Sequence, residues 1–265
     1  MLVHLKNGGT SLVLRQVDDT FEIVHWGKAL SEINEKSLAI TGRAVMHGAL
    51  DVNPGNLILR EHSRGWIGHP ALRGHRSGKS VANWFVCKNV DAKTDSAVIT
   101  FEDKTAGLEI SIKYTLDAHG ILKVVSKLTN IADGDYTLEH LLNWLPLAPQ
   151  ADEILDFYGH WTKERQPQRR EIGFGLTSRE GFEGRSGHDY TITQVALTKA
   201  TNFSQGEAWS MGVAWSGNNI HHIEKLIDRS KSIGAGEYLL PGEVILAKGE
   251  SYEAPAVIAG YSANG

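Results

Sequence analysis

The sequence predicts an all-β chain: one large antiparallel β-sandwich of about a dozen or more strands, with little helix. Three observations carry this. Leu108, Ile110, Ile112, Tyr114 and Leu116 recur at period two, with Glu109, Ser111, Lys113 and Thr115 between them. That is the pattern of an antiparallel strand with one face buried and one in water. Twenty-eight glycines are spread along the chain as punctuation, as many short strands joined by turns require. No fixed-period repeat, low-complexity tract or internal linker interrupts the 265 residues, so residues 1–265 read as a single domain, long enough for a sizeable core.

The elements follow in order. Ser11–Gln16 comes after Asn7-Gly8-Gly9, a hairpin-type turn. Phe21–Trp26 carries bulk on both sides, with Phe21, Ile23 and His25 against Glu22, Val24 and Trp26, and is expected to be covered on both faces. Asn53–Asn56 is turn chemistry. Ala97–Phe101 and Leu108–Leu116 are strands. Asp117–Gly120 turns the chain, and Ile121–Thr129 returns with Leu122, Val124 and Leu128 on one side. Tyr136–Leu147 is ambiguous by its residues: LEHLLNWL has helical propensity, whereas Pro146 and the flanking strands argue for strand. Ile154–Trp161 leads into a polar stretch, His160–Arg170, and Ser178–His188 is a Gly- and charge-rich loop. From Tyr190 on, strand follows turn: Tyr190–Leu197, Glu207–Ser216, Ile220–Leu226, Gly236–Leu240, Val244–Ala247 and Ala254–Tyr261, with Pro241-Gly242 and Lys248-Gly249 between the last three.

Composition narrows the function classes. A net charge of -4 gives no general affinity for nucleic acid or anionic membrane. Cys87 is the single cysteine, which excludes an intramolecular disulfide and a cysteine-based zinc site and fits a reducing compartment. The N-terminus lacks a signal-peptide pattern, and no apolar run approaches the ~20 residues that span a bilayer. The expectation is a cytoplasmic protein with no membrane or nucleic-acid partner.

The chemistry-bearing stretch is Leu57–Arg76. It holds Arg60, Arg64, Arg73 and Arg76, His62, His69 and His75, three glycines and Trp66, with Glu61 as the one acidic residue. Burying four guanidinium groups is prohibitive unless each is paired, so the stretch reads as a long Gly-rich loop rather than a core strand. Loops of this length are usually functional or disordered, and Trp66, Ile67, Pro70 and Leu72 give it something to pack with. Gly65 and Gly68 flank Trp66, so its indole is expected to be exposed and to offer an apolar face for a sugar ring or another apolar platform. Other constellations are weaker. The histidine spacings of seven and six, and the adjacent pair His221-His222, whose side chains leave a strand on opposite faces, do not make a zinc site. No metal or cofactor is expected. Glu139 with His140, and Asp152 and Glu153 with Asp156, read as ordinary solvated acids. No nucleophile elbow, Walker loop, dinucleotide fingerprint or HExxH occurs.

A set of short motifs then falls in one order: His25-Trp26-Gly27, Glu61-His-Ser-Arg-Gly-Trp66, Gly74-His-Arg76, Tyr158-Gly-His-Trp161 with Glu164-Arg165, Ser178-Arg179, Trp215-Ser-Gly-Asn218, Tyr238-Leu-Leu-Pro-Gly-Glu243 and Gly249-Glu-Ser-Tyr252. Across nearly the whole chain this resembles the N-terminal domain of glycoside hydrolase family 36, the raffinose- and melibiose-cleaving α-galactosidases. The resemblance implies a β-supersandwich like that of galactose mutarotase, and makes Tyr136–Leu147 strand. It also implies that catalysis belongs to a following (β/α)8 barrel whose nucleophile is the Asp of a Lys-Trp-Asp motif. That motif is absent here. Retaining hydrolysis needs two carboxylates flanking the bond, so this chain is expected to be inactive alone, with no catalytic residue of its own and the α-galactoside held mainly by the barrel. In the family the loop matching Asn56–Trp66 reaches a neighbouring subunit's active-site mouth within a tetramer. The substrate-binding or subunit-contact candidates are therefore Asn56, Leu57, His62, Arg64, Trp66, His75 and Arg76. Asn56 stands where many relatives carry Asp. Two other readings share the fold: a stand-alone mutarotase-type sugar epimerase, which needs an acid and a base on one concave face, and a non-catalytic carbohydrate-binding module using exposed aromatics such as Trp66 or Trp161.

Overall fold

The computed structural model describes residues 1–31, 33–40, 55–189 and 193–265. Strands β1 (Leu2–Asn7), β2 (Thr10–Val17) and β3 (Thr20–Lys28) form an antiparallel meander. Gly8 and Gly9, both at positive φ (51° and 81°), make the two-residue turn that sets Asn7 opposite Thr10. A short helix, α1 (Glu35–Ile40), and one 3-10 turn (His62–Arg64) precede β4 (Leu72–His75). The remaining strands are β5 (Val86–Ala92), β6 (Ser96–Asp103), β7 (Leu108–Leu116), β8 (Leu122–Asn130), β9 (Tyr136–Leu141), β10 (Asn143–Leu147), β11 (Ala151–His160), β12 (Lys163–Glu171), β13 (Gly175–Gly181), β14 (Thr193–Thr198), β15 (Ala208–Val213), β16 (Asn219–Lys225), β17 (Lys231–Glu237), β18 (Val244–Leu246), β19 (Ser251–Glu253) and β20 (Val257–Ser262). Every pairing between these strands is antiparallel, as the all-β expectation requires.

The largest sheet has ten strands, in the order β12-β11-β14-β15-β20-β8-β7-β6-β5, with β19 added beside β8. A four-stranded sheet, β10-β17-β16-β13, packs one face against it through β14 and β15. Its other face is covered by the Leu57–Arg76 stretch and by a three-stranded sheet, β18-β9-β4. Burial on both faces explains why β16, which reads NIHHIEK, is buried from Asn219 to Glu224 in spite of its polar residues.

The period-two strand behaves as its pattern dictates: Leu108, Ile110, Ile112, Tyr114 and Leu116 are buried, and the residues between them are not. Asp117 Oδ1 accepts the backbone N–H groups of His119 (2.8 Å) and Ile121 (2.9 Å), fixing the turn into β8. Phe21, Ile23 and Trp26 all reach the core because a β-bulge at Val24, between the pairs Leu14–Ile23 and Val13–His25, shifts the alternation by one. Tyr136–Leu147 is two strands, broken at Leu142, whose N–H turns to the carbonyl of Ala71 (2.8 Å).

Several expectations are corrected. Most of the polar stretch His160–Arg170 is the edge strand β12, and the loop expected from Ser178 begins inside β13, an edge of the four-stranded sheet. A strand at a sheet edge with both faces wet carries no alternation to read, and Pro167 is tolerated there because an edge position needs no outward N–H. Gly236–Leu240 gives way to an earlier strand, β17. The Asn53–Asn56 turn falls partly outside the described residues, as do Tyr190 to Ile192 of the predicted Tyr190–Leu197 strand. No helix among the described residues is long and apolar enough to cross a membrane.

Candidate functional site

The Leu57–Arg76 stretch is not a free loop. Its first part is tied to β3: Ile23 N–H donates to the Asn56 carbonyl (2.8 Å) and Ile58 N–H to the Phe21 carbonyl (2.9 Å). Leu57, Ile58 and Leu59 are buried, and so is Arg60, at 2% exposure. The expectation that these arginines stay out of the core is corrected here, because Arg60 meets the condition of being paired. Its guanidinium lies 4.5 Å from the Trp66 ring and 4.2 Å from the Trp144 ring, so it is held between two indoles. Its Nη1 donates to Ser232 Oγ (2.9 Å) and stands 3.6 Å from Glu224 Oε2. Burial lowers its pKa to about 9, against the pull of Glu224.

The stack continues through imidazoles. Trp144 lies nearly parallel to His222 (5.7 Å, 18°), His222 contacts His69 (4.8 Å), and His69 contacts His140 (4.8 Å). Trp144 lies over Gly234 of β17, where an added Cβ would come within 2.7 Å of the ring. The Pro70 carbonyl faces both His69 Nδ1 (3.2 Å) and His140 Nε2 (3.0 Å), and Glu224 Oε1 accepts the His69 backbone N–H (2.8 Å). Burial drives all three imidazoles toward neutrality: His69 is lowered against the opposing pull of the Pro70 carbonyl and Glu224, His140 falls to about 3 and His222 to about 2, with basic groups beside the last two acting in the same direction.

The seven candidates separate. Trp66 is 3% exposed and its Nε1 donates to the His69 carbonyl (3.0 Å), so the exposed indole expected from its flanking glycines is corrected. Gly65 does take a positive φ (85°), and it turns the ring inward onto Arg60. Arg64 reaches Glu61 (2.8 Å), Asp19 (2.7 Å) and the Phe85 carbonyl (2.6 Å), with Trp84 against its guanidinium. Glu61 also accepts the Phe85 N–H (2.7 Å), and burial raises its pKa to about 7. Arg76 donates to the carbonyls of Ala106 (2.9 Å) and Gly134 (2.6 Å) and to Asn130 Oδ1 (2.6 Å). Leu57, Arg64, Trp66 and Arg76 therefore hold the segment in place. Asn56 lines one cleft of ≈ 590 Å³ with Arg15, His25 and Lys231, whereas His62 and His75 line another, of ≈ 700 Å³. The candidates do not converge on a single pocket.

The larger cleft is walled by Arg60, His69, Arg73, Glu139, Glu224 and Leu176 among others. Sequence reasoning missed Glu224, which meets His69 across 155 residues of chain and had no local signal. The Glu139-His140 pair is split: Glu139 faces this cleft, while His140 turns into the ring stack. Asp152 is taken by Lys231 (2.7 Å), and Asp156, expected in solvent, is fully buried against Arg170 (2.7 Å). Among the described residues no three His, Cys, Asp or Glu side chains are arranged to hold a metal ion.

Comparison with known proteins gives a consistent result. The family model of the glycosyl hydrolase family 36 N-terminal domain matches residues 19–247. The Escherichia coli alpha-galactosidase is 32% identical over 244 residues, which cover 92% of this chain and 34% of that protein. The alpha-galactosidase 2 of Hypocrea jecorina is 28% identical over 201 residues, 75% of this chain and 26% of that protein. Among solved structures, a Geobacillus stearothermophilus AgaA variant in complex with raffinose superposes with a TM-score of 0.88 at 20% identity, over 100% of this chain and 41% of that one, a likeness of fold. The chain thus spans about a quarter to a third of the length of these two curated relatives.

Proposed function

Because the chain belongs to the family of glycosyl hydrolase family 36 N-terminal domains, we propose that it is the accessory β-sandwich of an α-galactosidase. In this reading residues 1–265 form one domain of a longer enzyme. A (β/α)8 barrel supplies the two carboxylates that retaining hydrolysis needs and takes terminal α-linked galactose from oligosaccharides. The sandwich serves assembly of a cytoplasmic homo-oligomer and the shape of the active-site mouth. The observation that carries the reading is the family match over residues 19–247, in a chain that covers only 34% of its Escherichia coli relative. The cleft carboxylates support it. Glu224 is engaged by Arg60 and the His69 N–H, and Glu139 lies between Arg73 and His75, so each carboxylate of the cleft already has basic or N–H groups beside it. Asn56, His62 and His75, which line clefts, are the proposed contact residues; Leu57, Arg64, Trp66 and Arg76 act by holding them.

The test is direct. Purified Met1–Gly265 should release no nitrophenol from p-nitrophenyl α-galactoside, while the full-length protein is expected to carry a barrel with Lys-Trp-Asp and to hydrolyse it. Sustained turnover by the purified chain, lost in Glu139→Gln or Glu224→Gln, would show a catalytic centre of its own and overturn the accessory role.

A further inference from the structure

We propose that Arg73, Glu139 and His75 form a saccharide-binding site that holds two vicinal hydroxyls of a neutral sugar. Arg73 and His75 are two residues apart on β4 and share a face. Gly74 between them is fixed in place, since an added Cβ would stand 2.5 Å from Tyr136 Oη. On β9 the register passes from Arg73–His140 to Gly74–Leu138, which leaves Glu139 as the extra residue of a β-bulge. A bulge re-aims a side chain, and this one sets the Glu139 carboxylate between the two β4 side chains at the cleft wall.

The spacing is the informative part. Glu139 Oε2 stands 3.7 Å from Arg73 Nη2, and Oε1 stands 3.7 Å from His75 Nε2. Both gaps are beyond hydrogen-bond reach, so a half-exposed carboxylate has a donor on each side and hydrogen-bonds neither. His75 Nδ1 accepts the Gly78 backbone N–H (3.0 Å), so the neutral ring carries its proton on Nε2, facing Glu139. A sugar hydroxyl donates one hydrogen bond and accepts others. Two adjacent hydroxyls can each donate to one carboxylate oxygen, the first accepting from Arg73 and the second from His75.

The rest of the cleft selects for a neutral ligand. The two arginines of its wall, Arg60 and Arg73, face Glu224 and Glu139, so a phosphate or carboxylate gains no net attraction. Exposed Ile67, Val81 and Leu176 supply apolar wall for the carbon face of a ring. A volume of ≈ 700 Å³ lies within the usual range for small-ligand sites. The choice of a galactose-containing probe rests on the function proposed above; the site itself rests on this geometry.

The experiment is a titration of the purified chain with galactose and with melibiose, followed by the histidine ring resonances in NMR and by calorimetry, with inorganic phosphate as the charged comparison. Saturable shifts of the His75 ring with the sugars are expected, with affinity in the millimolar range. Glu139→Gln and Arg73→Ala should each weaken binding about tenfold while leaving the thermal midpoint in place, because both side chains are solvent-exposed. Absence of a saturable shift at His75, undiminished binding in both variants, or binding of phosphate in preference to sugar would each overturn the assignment. Failure of the full-length protein to hydrolyse α-galactosides, with sugar still bound here, would refute the accessory role and leave this site standing.

Discussion

Trp66 and the histidines beside it show what a single residue can and cannot say in advance. The indole is sealed against Arg60, so Trp66→Ala should cost ~3–5 kcal/mol of stability and lower the thermal midpoint of the purified chain by many degrees. An unchanged midpoint would return Trp66 to the surface. The imidazoles make a second prediction. His140 and His222, at about 3 and about 2 in the fold against an ordinary 6.5, bind fewer protons folded than unfolded at any pH between. The stability that they confer is complete above about pH 6.5 and is lost as pH falls, by up to about 1.4 kcal/mol per pH unit for each ring. Glu61 works in the other direction: raised from 4.5 to about 7, it removes stability as pH rises between those values. One carboxyl against two imidazoles leaves a net loss on acidification. The urea midpoint should therefore fall between about pH 7 and about pH 5, and His222→Leu should reduce that fall. An equal fall in both proteins would mean that the ring is protonated in the fold. The sequence announced the polar residues of this stretch but not their direction, because a flanking glycine permits an indole to turn either way and only the partner side chain decides.

At the scale of the strand, legibility follows the solvent. β7 and β8 have one wet face, and their alternation marks them residue by residue. β12 is wet on both faces and β16 on neither, so neither alternates. β17, reading KSIGAGE, looks too small and too glycine-rich for a central strand until Trp144 is seen lying on Gly234. That glycine is a packing requirement, which gives a third prediction. Gly234→Ala places a methyl group against the Trp144 ring, and should cost about 1–3 kcal/mol and alter the near-ultraviolet circular dichroism of the tryptophans. Wild-type stability and spectrum in this variant would show that the ring has room to lift. The bulge at Glu139 was likewise hidden, since one extra residue in a strand changes no composition and disturbs a pattern already short.

For the whole molecule, the class of fold was legible from turns and one clear strand, and the order of motifs supplied the family. The candidate site was legible only as a stretch of chain, because its partners lie on β9, β10, β16 and β17, far along the sequence. Glu224 is where these strands meet the segment, through Arg60 and the His69 N–H. Glu224→Ala should destabilise the chain by about 3–5 kcal/mol by leaving a buried guanidinium without its countercharge, and the loss should show in a denaturant melt as an earlier midpoint. A loss under 1 kcal/mol would mean that the two indoles and Ser232 suffice for Arg60.

The same long reach has a consequence in time. Arg60 is made 172 residues before Ser232, and His69 155 residues before Glu224. At ordinary rates of synthesis that is an interval of roughly 10–35 s. During it Arg60 and His69 have left the ribosome, and the strands that supply Glu224 and Ser232 have not been made. Their seating is therefore a late event in biosynthesis. A nascent chain halted before β16 would present Arg60 without Glu224 and Ser232 and His69 without Glu224, a form that chaperones and proteases can distinguish from the finished domain.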